Sequence, residues 1–336
     1  MTYRNIAAAL CAATLCLPAQ ASTLSDRYSG FVAFGDSLSD PGNLFALTGQ
    51  PGDPYEGGRF SNGPVWAEDV AAAFGTSQNY AFGGAKAASD ADGIPDLIDQ
   101  IGLFDLDGVG GGGRAALGAR PLASVWLGAN DLFGAVPPGS PSVETAVVGD
   151  AIDALRAGIG ALRDRNIDDF LLFDLPDLGK TPLYRTVLPF LSGAGTAATT
   201  AFNAALAALE DELTAAGARV RTISSNAFFA QVLDDPGALG FDTVRRPCHY
   251  ISGDALVQAA ADVARTLLGD GRSCDDPETR AFFDLVHPNA TFHQAFAQDV
   301  LDQIAPVPAP AGLPLLLTGL GTLAWARRRA RRRVAA

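Results

Sequence analysis

Short apolar runs alternate along this chain with longer segments in which apolar residues recur at helical spacing. Runs typical of buried strands lie at residues 31–34, 124–127, 170–173 and 220–223. Two Ala- and Leu-rich segments, at 142–164 and 196–215, predict helices, and another helix is expected to begin near Asn289. Strands that alternate with helices favour a parallel sheet covered on both faces. We therefore predict an α/β fold, a three-layer sandwich with a central parallel sheet flanked by helices, whose functional groups gather at the carboxyl ends of the strands.

The first 21 residues have the pattern of an export signal. A basic residue, Arg4, precedes an uncharged apolar run at 6–17 and a small-x-small sequence at 19–21. This arrangement is typical of a secretory signal peptide, with cleavage expected before Ser22. The alternative is a buried N-terminal helix of the domain, although such a helix has no need to end in a cleavage pattern.

The C-terminal segment also differs from a folded domain. Residues 305–326 carry no charge and lead into six arginines between 327 and 333. Prolines limit a helix to about residues 313–326, roughly 21 Å at ~1.5 Å per residue, which is shorter than a ~30 Å hydrocarbon core. The string VPAPA at 307–311, the apolar segment and the arginines resemble the PEP-CTERM sorting tails of bacteria in their VPxPA variant. This resemblance implies export to the cell surface or medium, membrane contact through the tail only, and removal of the tail by a sorting protease; a permanent anchor is the alternative.

The body between these ends is strongly acidic. Residues 22–305 hold 17 basic and 37 acidic residues, a net charge of −20, whereas the whole chain has a net charge of −13. Nucleic-acid binding is therefore excluded as a function, because phosphate backbones are held by clustered Lys and Arg. No internal repeat or long linker divides the body. We expect a signal peptide at 1–21, one domain at 22–305 and a sorting tail at 306–336.

A candidate nucleophile follows the first predicted strand. Ser37 lies on a Gly- and Asp-containing turn directly after the run at 31–34. A serine on such a turn exposes its hydroxyl at the sheet edge, and a helix beginning after it would favour negative charge there. The same tripeptide is also common in ordinary turns and helix caps.

Four short blocks give this serine a specific context. They are GDSL at 35–38, NYAFGGA at 79–85, GAND at 128–131 and DLVHP at 284–288. Each block alone has a plainer interpretation as a turn or a cap. Together, and in this order, they resemble the conserved blocks of the GDSL, or SGNH, hydrolases. The resemblance spans nearly the whole body and implies the flavodoxin-like SGNH-hydrolase fold.

The resemblance also implies roles for individual residues. Ser37 would be the nucleophile, His287 the general base, and Asp284 the acid that orients the imidazole. Backbone N–H groups of Ser37 and Gly84 and the side-chain amide of Asn130 would form the oxyanion hole. Such donors stabilise the negative charge of a tetrahedral intermediate.

The remaining cysteines and histidines have structural interpretations. In an exported protein, Cys248 and Cys274 are expected to form a disulfide; a metal site built with His249 is the alternative. Similar paired cysteines occur in exported GDSL lipases and esterases, including the group resembling thermolabile haemolysins. His293 lies six residues after His287 and would not share its helix face, which favours a packing or surface role.

The sequence thus predicts a secreted or surface carboxylic-ester hydrolase, an esterase or lipase that acts on acyl esters. It contains no motif for an organic cofactor and no convincing metal cluster. One alternative is an acetyl esterase that trims surface polysaccharide. Another is a non-catalytic surface protein on the same fold, which would not need nucleophile, base and oxyanion donors together.

Overall fold

A five-stranded parallel sheet forms the centre of the fold. The computed structural model describes residues 23–109, 112–135, 145–251 and 274–305. The strands are β1 (Gly30–Gly35), β2 (Ser77–Asn79), β3 (Pro121–Trp126), β4 (Asp169–Phe173) and β5 (Arg219–Ile223). They pair in the order β2-β1-β3-β4-β5, and every neighbouring pair is parallel. The α-helices of the described residues are α1 (Leu24–Arg27), α2 (Asn43–Thr48), α3 (Trp66–Ala71), α4 (Leu97–Val109), α5 (Gly113–Ala116), α6 (Ala129–Ala135), α7 (Thr145–Asp164), α8 (Ser192–Ala215), α9 (Ser225–Asp234) and α10 (Ala290–Ile304).

Helices cover both faces of this sheet. On one face, Trp126 of β3 packs against Trp66 of α3 and Phe296 of α10, with ring centroids 5.7 and 5.1 Å apart. On the other face, Phe34 of β1 packs edge-on against Phe104 of α4 at 5.8 Å, and α7 packs against α4 and α8. The predicted α/β three-layer sandwich is confirmed.

Burial explains why some strands could be predicted from the sequence and one could not. Every residue of β1, β3 and β4 is buried, and apart from Ser124 and Asp169 these strands contain no polar side chain. The edge strand β5 exposes Arg219 and Arg221 and is only partly apolar. The other edge strand, β2, consists of Ser, Gln and Asn with no fully buried residue, and the sequence did not predict it.

The predicted helices occur with shifted starts. α8 begins at Ser192, four residues before the predicted start, because Gly195 lets the helix approach Gly179; a Cβ on Gly195 would lie 3.0 Å from Gly179 Cα. α7 begins at Thr145, and residues 142–144 lie outside the described ranges. β3 ends at Trp126, so the predicted strand residue Leu127 belongs to the turn that follows.

Residues Arg27–Ile304 form one compact unit. The predicted signal peptide at 1–21 and sorting tail at 306–336 lie outside the described residues. Within the ranges that are described, no helix has the length and apolar character needed to cross a bilayer.

Candidate active site

The first strand ends in a turn that presents Ser37. Gly35, the last residue of β1, donates its N–H to Gln100 Oε1 (3.0 Å) and accepts a hydrogen bond from Gln100 Nε2 (2.8 Å). The N–H of Ser39 donates to the carbonyl of Asp36 at 2.9 Å and closes the turn. A Cβ on Gly35 would come within 2.9 Å of the Ser39 side chain, so a larger residue would displace the turn. Ser37 is thereby fixed just beyond the sheet, with 7% of its surface exposed.

A carboxylate occupies the amino end of the first helix after Ser37. The carboxylate of Asp40 accepts the N–H groups of Gly42 (2.8 Å) and Asn43 (2.5 Å) at the start of α2. The second oxygen of Asp40 accepts the N–H of Gly83 at 2.8 Å. The expectation that this helix would favour negative charge at Ser37 is therefore wrong, because a carboxylate already occupies its amino end.

Ser37, His287 and Asp284 form a continuous hydrogen-bonded chain. Ser37 Oγ lies 2.7 Å from His287 Nε2, and His287 Nδ1 lies 2.7 Å from Asp284 Oδ2. A carboxylate beside Nδ1 favours the tautomer with the proton on Nδ1, which leaves Nε2 to accept the serine hydroxyl proton. The ring of Phe60 packs on the imidazole, with centroids 4.9 Å apart. The structure brings these three predicted residues together across 250 positions of sequence.

A tight loop fixes His287 relative to the acid. The carbonyl of His287 accepts the N–H of Phe283 at 2.8 Å, and Phe282 forms an antiparallel bridge with Pro288. The segment with Cys248 lies alongside, because the Cys248 N–H donates to the carbonyl of Phe282 at 3.0 Å. The loop is therefore closed on itself and held by a neighbouring segment.

Two strands next to β1 bring Gly84 and Asn130 towards Ser37. The N–H of Phe82 donates to the carbonyl of Gly35 at 3.1 Å, so the chain after β2 continues beside the end of β1. Gly84 follows with a φ of +82°, a backbone conformation that favours glycine. On the other side, β3 pairs with β1 to the last residue of each strand, and Asn130 lies in the first turn of the helix that follows.

The first turn of α6 holds the loop that follows β2. Asn130 Nδ2 donates to the carbonyl of Ala85 at 2.8 Å. The carboxylate of Asp131 accepts the N–H groups of Ala87 (2.9 Å) and Ala88 (3.0 Å). The asparagine and aspartate of the GAND block thus fix the position of the loop that carries the predicted oxyanion glycine.

Three donors in this region have capacity for a further acceptor. The backbone N–H groups of Ser37 and Gly84 donate to no acceptor among the described residues. Asn130 Nδ2 carries two hydrogens, and its hydrogen bond to Ala85 uses one of them. Backbone donors away from water are nearly always paired in folded proteins, so these groups are suited to an anionic oxygen of a ligand.

A small cleft opens over the serine. Its lining is mostly apolar: Leu38, Ala129, Phe133, Pro176, Leu178, Phe229 and Val286. The polar side chains that reach it include Ser37, Asn130 and His287. An apolar cleft with few polar groups beside a nucleophile suits an uncharged carbon chain attached to a reactive carbonyl.

Comparison with known proteins agrees with this geometry. The family of GDSL-like lipases and acylhydrolases matches residues 31–300. This chain belongs to the GDSL-like lipase/acylhydrolase family.

Two curated relatives of this GDSL chain resemble it over most of its length. It is 27% identical over 329 residues to the phosphatidylcholine-sterol acyltransferase of Aeromonas hydrophila, an alignment covering 84% of this chain and 92% of that protein. It is 27% identical over 285 residues to the thermolabile hemolysin of Vibrio parahaemolyticus, covering 82% of this chain and 64% of that protein. Among solved structures, an acetylxylan esterase of Geobacillus stearothermophilus is similar at a TM-score of 0.44 and 12% identity, covering 82% of this chain and 94% of that one. A likeness of that degree says nothing about substrate.

Buried acids without cationic partners surround the serine of this GDSL chain. Asp36 Oδ1 accepts the N–H of Leu38 at 3.0 Å, while Oδ2 has no partner among the described residues. Burial raises the pKa of Asp36 to about 7, although the Leu38 hydrogen bond and the charge of His287 oppose this shift. Burial also raises the pKa of Asp131.

The other two histidines and the cysteine pair of the GDSL chain take part in packing and cross-linking contacts. Cys248 and Cys274 are joined in a disulfide, which occupies both sulfurs of the alternative metal site. In the part of the chain that the structure describes, no group of His, Cys, Asp and Glu could hold a metal ion. His249 packs edge-on against Phe283 at 4.8 Å. His293 is 2% exposed and accepts the N–H of Trp66 at 3.4 Å, which places it in the packed core rather than at the surface; burial lowers its pKa to about 3.

Two side chains of this site were not predicted. Gln100 holds the end of β1, and the hydroxyl of Tyr55 donates to Asp284 Oδ2 at 2.6 Å. Neither lies in a recognisable motif, and Tyr55 is 229 positions from Asp284. Asp36 and Asp131 lie in two of the recognised blocks, directly beside Ser37 and Asn130. That position in sequence was the available sign that both acids belong to the site.

Proposed function

We propose that this chain is a serine ester hydrolase, an esterase or lipase that works through an acyl-enzyme intermediate. The observation that carries the proposal is the chain of two 2.7 Å hydrogen bonds that joins Ser37 Oγ through His287 to Asp284. A serine hydroxyl is a weak nucleophile at neutral pH and needs an adjacent base. The family to which the chain belongs supports this reaction class.

The first half of the reaction forms an ester on Ser37. His287 Nε2 takes the hydroxyl proton as Oγ bonds to the carbonyl carbon of the substrate, and the carbonyl oxygen becomes an oxyanion. The N–H groups of Ser37 and Gly84 and the amide of Asn130 donate to this oxyanion, and one such donor is typically worth about 3 kcal/mol. The intermediate then expels the alcohol, which receives its proton from His287. Asp284 stabilises the imidazolium throughout.

The second half regenerates the serine with the same groups. Water enters next to the acyl carbonyl, His287 Nε2 removes one of its protons, and the resulting tetrahedral intermediate expels Ser37 Oγ. The imidazolium returns its proton to Oγ, and a carboxylic acid leaves. The base must be neutral at the start of each half, so activity is expected to rise with pH as the imidazole loses its proton.

The apolar cleft favours an acyl chain over a charged or strongly polar acid portion. A panel of p-nitrophenyl esters from acetate to palmitate tests this. We expect kcat/KM to be higher for medium or long chains than for acetate. The highest kcat/KM on acetate, with rapid decline at longer chains, would instead favour the acetyl esterase that acts on surface polysaccharide.

Acyl transfer to an alcohol is a second candidate reaction. The relative that matches 84% of this chain is named an acyltransferase for phosphatidylcholine and sterol. The same acyl-enzyme would form, and an alcohol would replace water in the second half of the reaction. Adding a long-chain alcohol to the ester assay distinguishes the two reactions, because transfer yields a new ester in place of the free acid.

We further propose that the protein is exported and processed at both ends. The support is the signal-like pattern at 1–21, the sorting-like tail at 306–336 and the Cys248–Cys274 disulfide, which is stable in oxidising compartments. Intact-mass analysis of the protein from the producing cells tests this, with a start at Ser22 expected. A 22–304 fragment should fold and keep the activity, and an inactive, aggregated fragment would contradict the assignment of the tail.

A further inference from the structure

Asp284 has more hydrogen-bond donors than its histidine alone provides. The carboxylate is fully buried. Its Oδ1 accepts the N–H groups of Val286 (2.8 Å) and His287 (2.7 Å). Its Oδ2 accepts His287 Nδ1 (2.7 Å) and the hydroxyl of Tyr55 (2.6 Å). Each oxygen therefore receives two donors, which together define the plane of the carboxylate.

The tyrosine differs from the other donors in where it comes from. Val286 and His287 belong to the same tight loop as Asp284 and move with it. Tyr55 lies in the connection between α2 and α3, which is 229 positions away in sequence. It is therefore the donor in this set that ties the acid to a separate part of the fold.

Neighbours of Tyr55 fasten the same segment to the histidine loop. The ring of Phe60 packs on both Tyr55 (5.7 Å) and His287 (4.9 Å). Ser61 Oγ donates to the carbonyl of Pro288 at 3.1 Å. Tyr55 itself is 8% exposed, so its hydrogen bond to the acid is largely protected from water. The segment thus makes successive contacts with the acid, the base and the residue after the base.

We propose that Tyr55 is a positioning residue of the triad, which holds Asp284 Oδ2 and through it the imidazole of His287 in line with Ser37. It does not touch the substrate. Its hydroxyl fixes one lone pair of Oδ2, so that the other is directed at Nδ1. The inference rests on the proposed function, since positioning matters only if the triad is catalytic.

The direct test is Tyr55→Phe, which removes the hydroxyl and keeps the ring. We expect kcat on a p-nitrophenyl ester to fall by roughly tenfold, as for loss of one hydrogen bond to a charged group. KM should stay within about twofold, because the substrate does not contact Tyr55. Labelling of Ser37 by a fluorophosphonate should slow by a similar factor.

Tyr80→Phe is the matched control. Tyr80 donates to Asp107 Oδ2 at 2.6 Å, the same length as the Tyr55 hydrogen bond, but it packs against Phe34 and Phe104 rather than the triad. Both variants lose one Tyr–carboxylate hydrogen bond, and Tyr80→Phe also removes the contact of the hydroxyl with Gln78 Oε1 at 2.9 Å. Thermal unfolding should report a loss of stability in both variants, smaller in Tyr80→Phe because Asp107 is exposed and Asp284 is buried, whereas kcat per folded molecule should fall in Tyr55→Phe alone.

A double-mutant cycle with Asp284→Ala separates positioning from a general structural effect. If Tyr55 acts through the acid, Tyr55→Phe should not lower kcat further once Asp284 is replaced. Equal effects in both backgrounds, or wild-type kcat in Tyr55→Phe, would overturn the inference while leaving the proposed function intact. A wild-type protein without serine-dependent hydrolysis would instead overturn the proposed function.

Discussion

Buried aspartates have different hydrogen-bond partners at the two ends of the sheet. At the amino ends of β3, β4 and β5, the carboxylate of Asp169 accepts paired hydrogen bonds from Arg120 (3.0 and 3.1 Å) and Arg219 (2.7 and 3.0 Å). At the carboxyl ends, Asp36 and Asp131 are equally buried but are held by backbone N–H groups. The aspartate charge is therefore compensated by arginines at the amino end of the sheet and is not compensated in this way at the carboxyl end.

This difference in partners changes the pKa values of the aspartates. Burial alone would raise the pKa of Asp169, but the hydrogen bonds from Arg219 and Arg120 outweigh burial and lower it. For Asp36 no cation offsets burial to the same extent, and its pKa rises to about 7. Uncompensated buried acids cost stability, and such groups collect at functional sites. We infer that the amino end serves stability and the carboxyl end serves chemistry.

The largest effect should follow from removing the base at the carboxyl end. His287→Ala is expected to lower kcat for ester hydrolysis by about 10⁴- to 10⁶-fold, because Ser37 loses its proton acceptor. His293→Ala is the control: it should lower the unfolding temperature, since His293 is buried, and keep most of the activity per folded molecule. If His293 proved indispensable and His287 did not, the assignment of the base would be wrong.

A smaller loss is expected at the oxyanion donors. Asn130→Ala should lower kcat by roughly 10²- to 10³-fold with little change in KM, because this amide serves the intermediate more than the bound ester. Steady-state kinetics on one p-nitrophenyl ester checks this. A raised KM with unchanged kcat would place Asn130 in ground-state binding instead.

Asp36→Asn tests whether the buried acid carries an energetic penalty. The folded-state pKa of Asp36 is raised, so the contribution of this carboxyl to the free energy of unfolding is greatest below about pH 4 and is lost as the pH rises towards 7. The amide copies the protonated acid and should remove this loss. We expect the variant to gain about 3 kcal/mol over wild type at pH 8 relative to pH 4.5, measured by urea unfolding. A constant difference at both pH values would contradict the penalty.

The smallest effect is expected at the amino end, and on stability only. Asp169→Asn keeps the shape but weakens the hydrogen bonds from two arginines that are 45% and 52% exposed. Exposure limits the loss to about 1 to 2 kcal/mol of unfolding free energy. Ester hydrolysis per folded molecule should not change. A selective fall in kcat at full folding would remove the distinction between the two ends.

The parts of the fold that were predictable are those with a local signal. β1, β3 and β4 were predicted because these central strands are buried on both faces, and the edge strand β5 because it retains the apolar residues Val220 and Ile223. β2 was missed because it is a three-residue edge strand of polar residues. The extra turn at the start of α8 was missed because Gly193 and Gly195 are typical of loops, whereas here Gly195 permits a close approach to Gly179.

The site shows the same division between local and distant signals. Ser37, Asp284 and His287 lie in short sequence blocks. The resemblance of these blocks to a family predicted that the three residues act together. Tyr55 and Gln100 act through contacts with residues 229 and 65 positions away. A single sequence contains no pattern that pairs them. The acidity of Asp36 likewise depends on burial by several segments rather than on its neighbours in sequence.

The central claim is that Ser37 is an activated nucleophile. Wild-type protein and Ser37→Ala should be incubated with a fluorophosphonate, and the labelled site mapped by peptide mass spectrometry. We expect stoichiometric labelling of the wild type at Ser37, slow labelling in His287→Ala, and none in Ser37→Ala, with ester hydrolysis lost in parallel. Labelling at another residue, or an unlabelled wild-type protein that is fully folded, would contradict the account and favour a non-catalytic protein on the same fold.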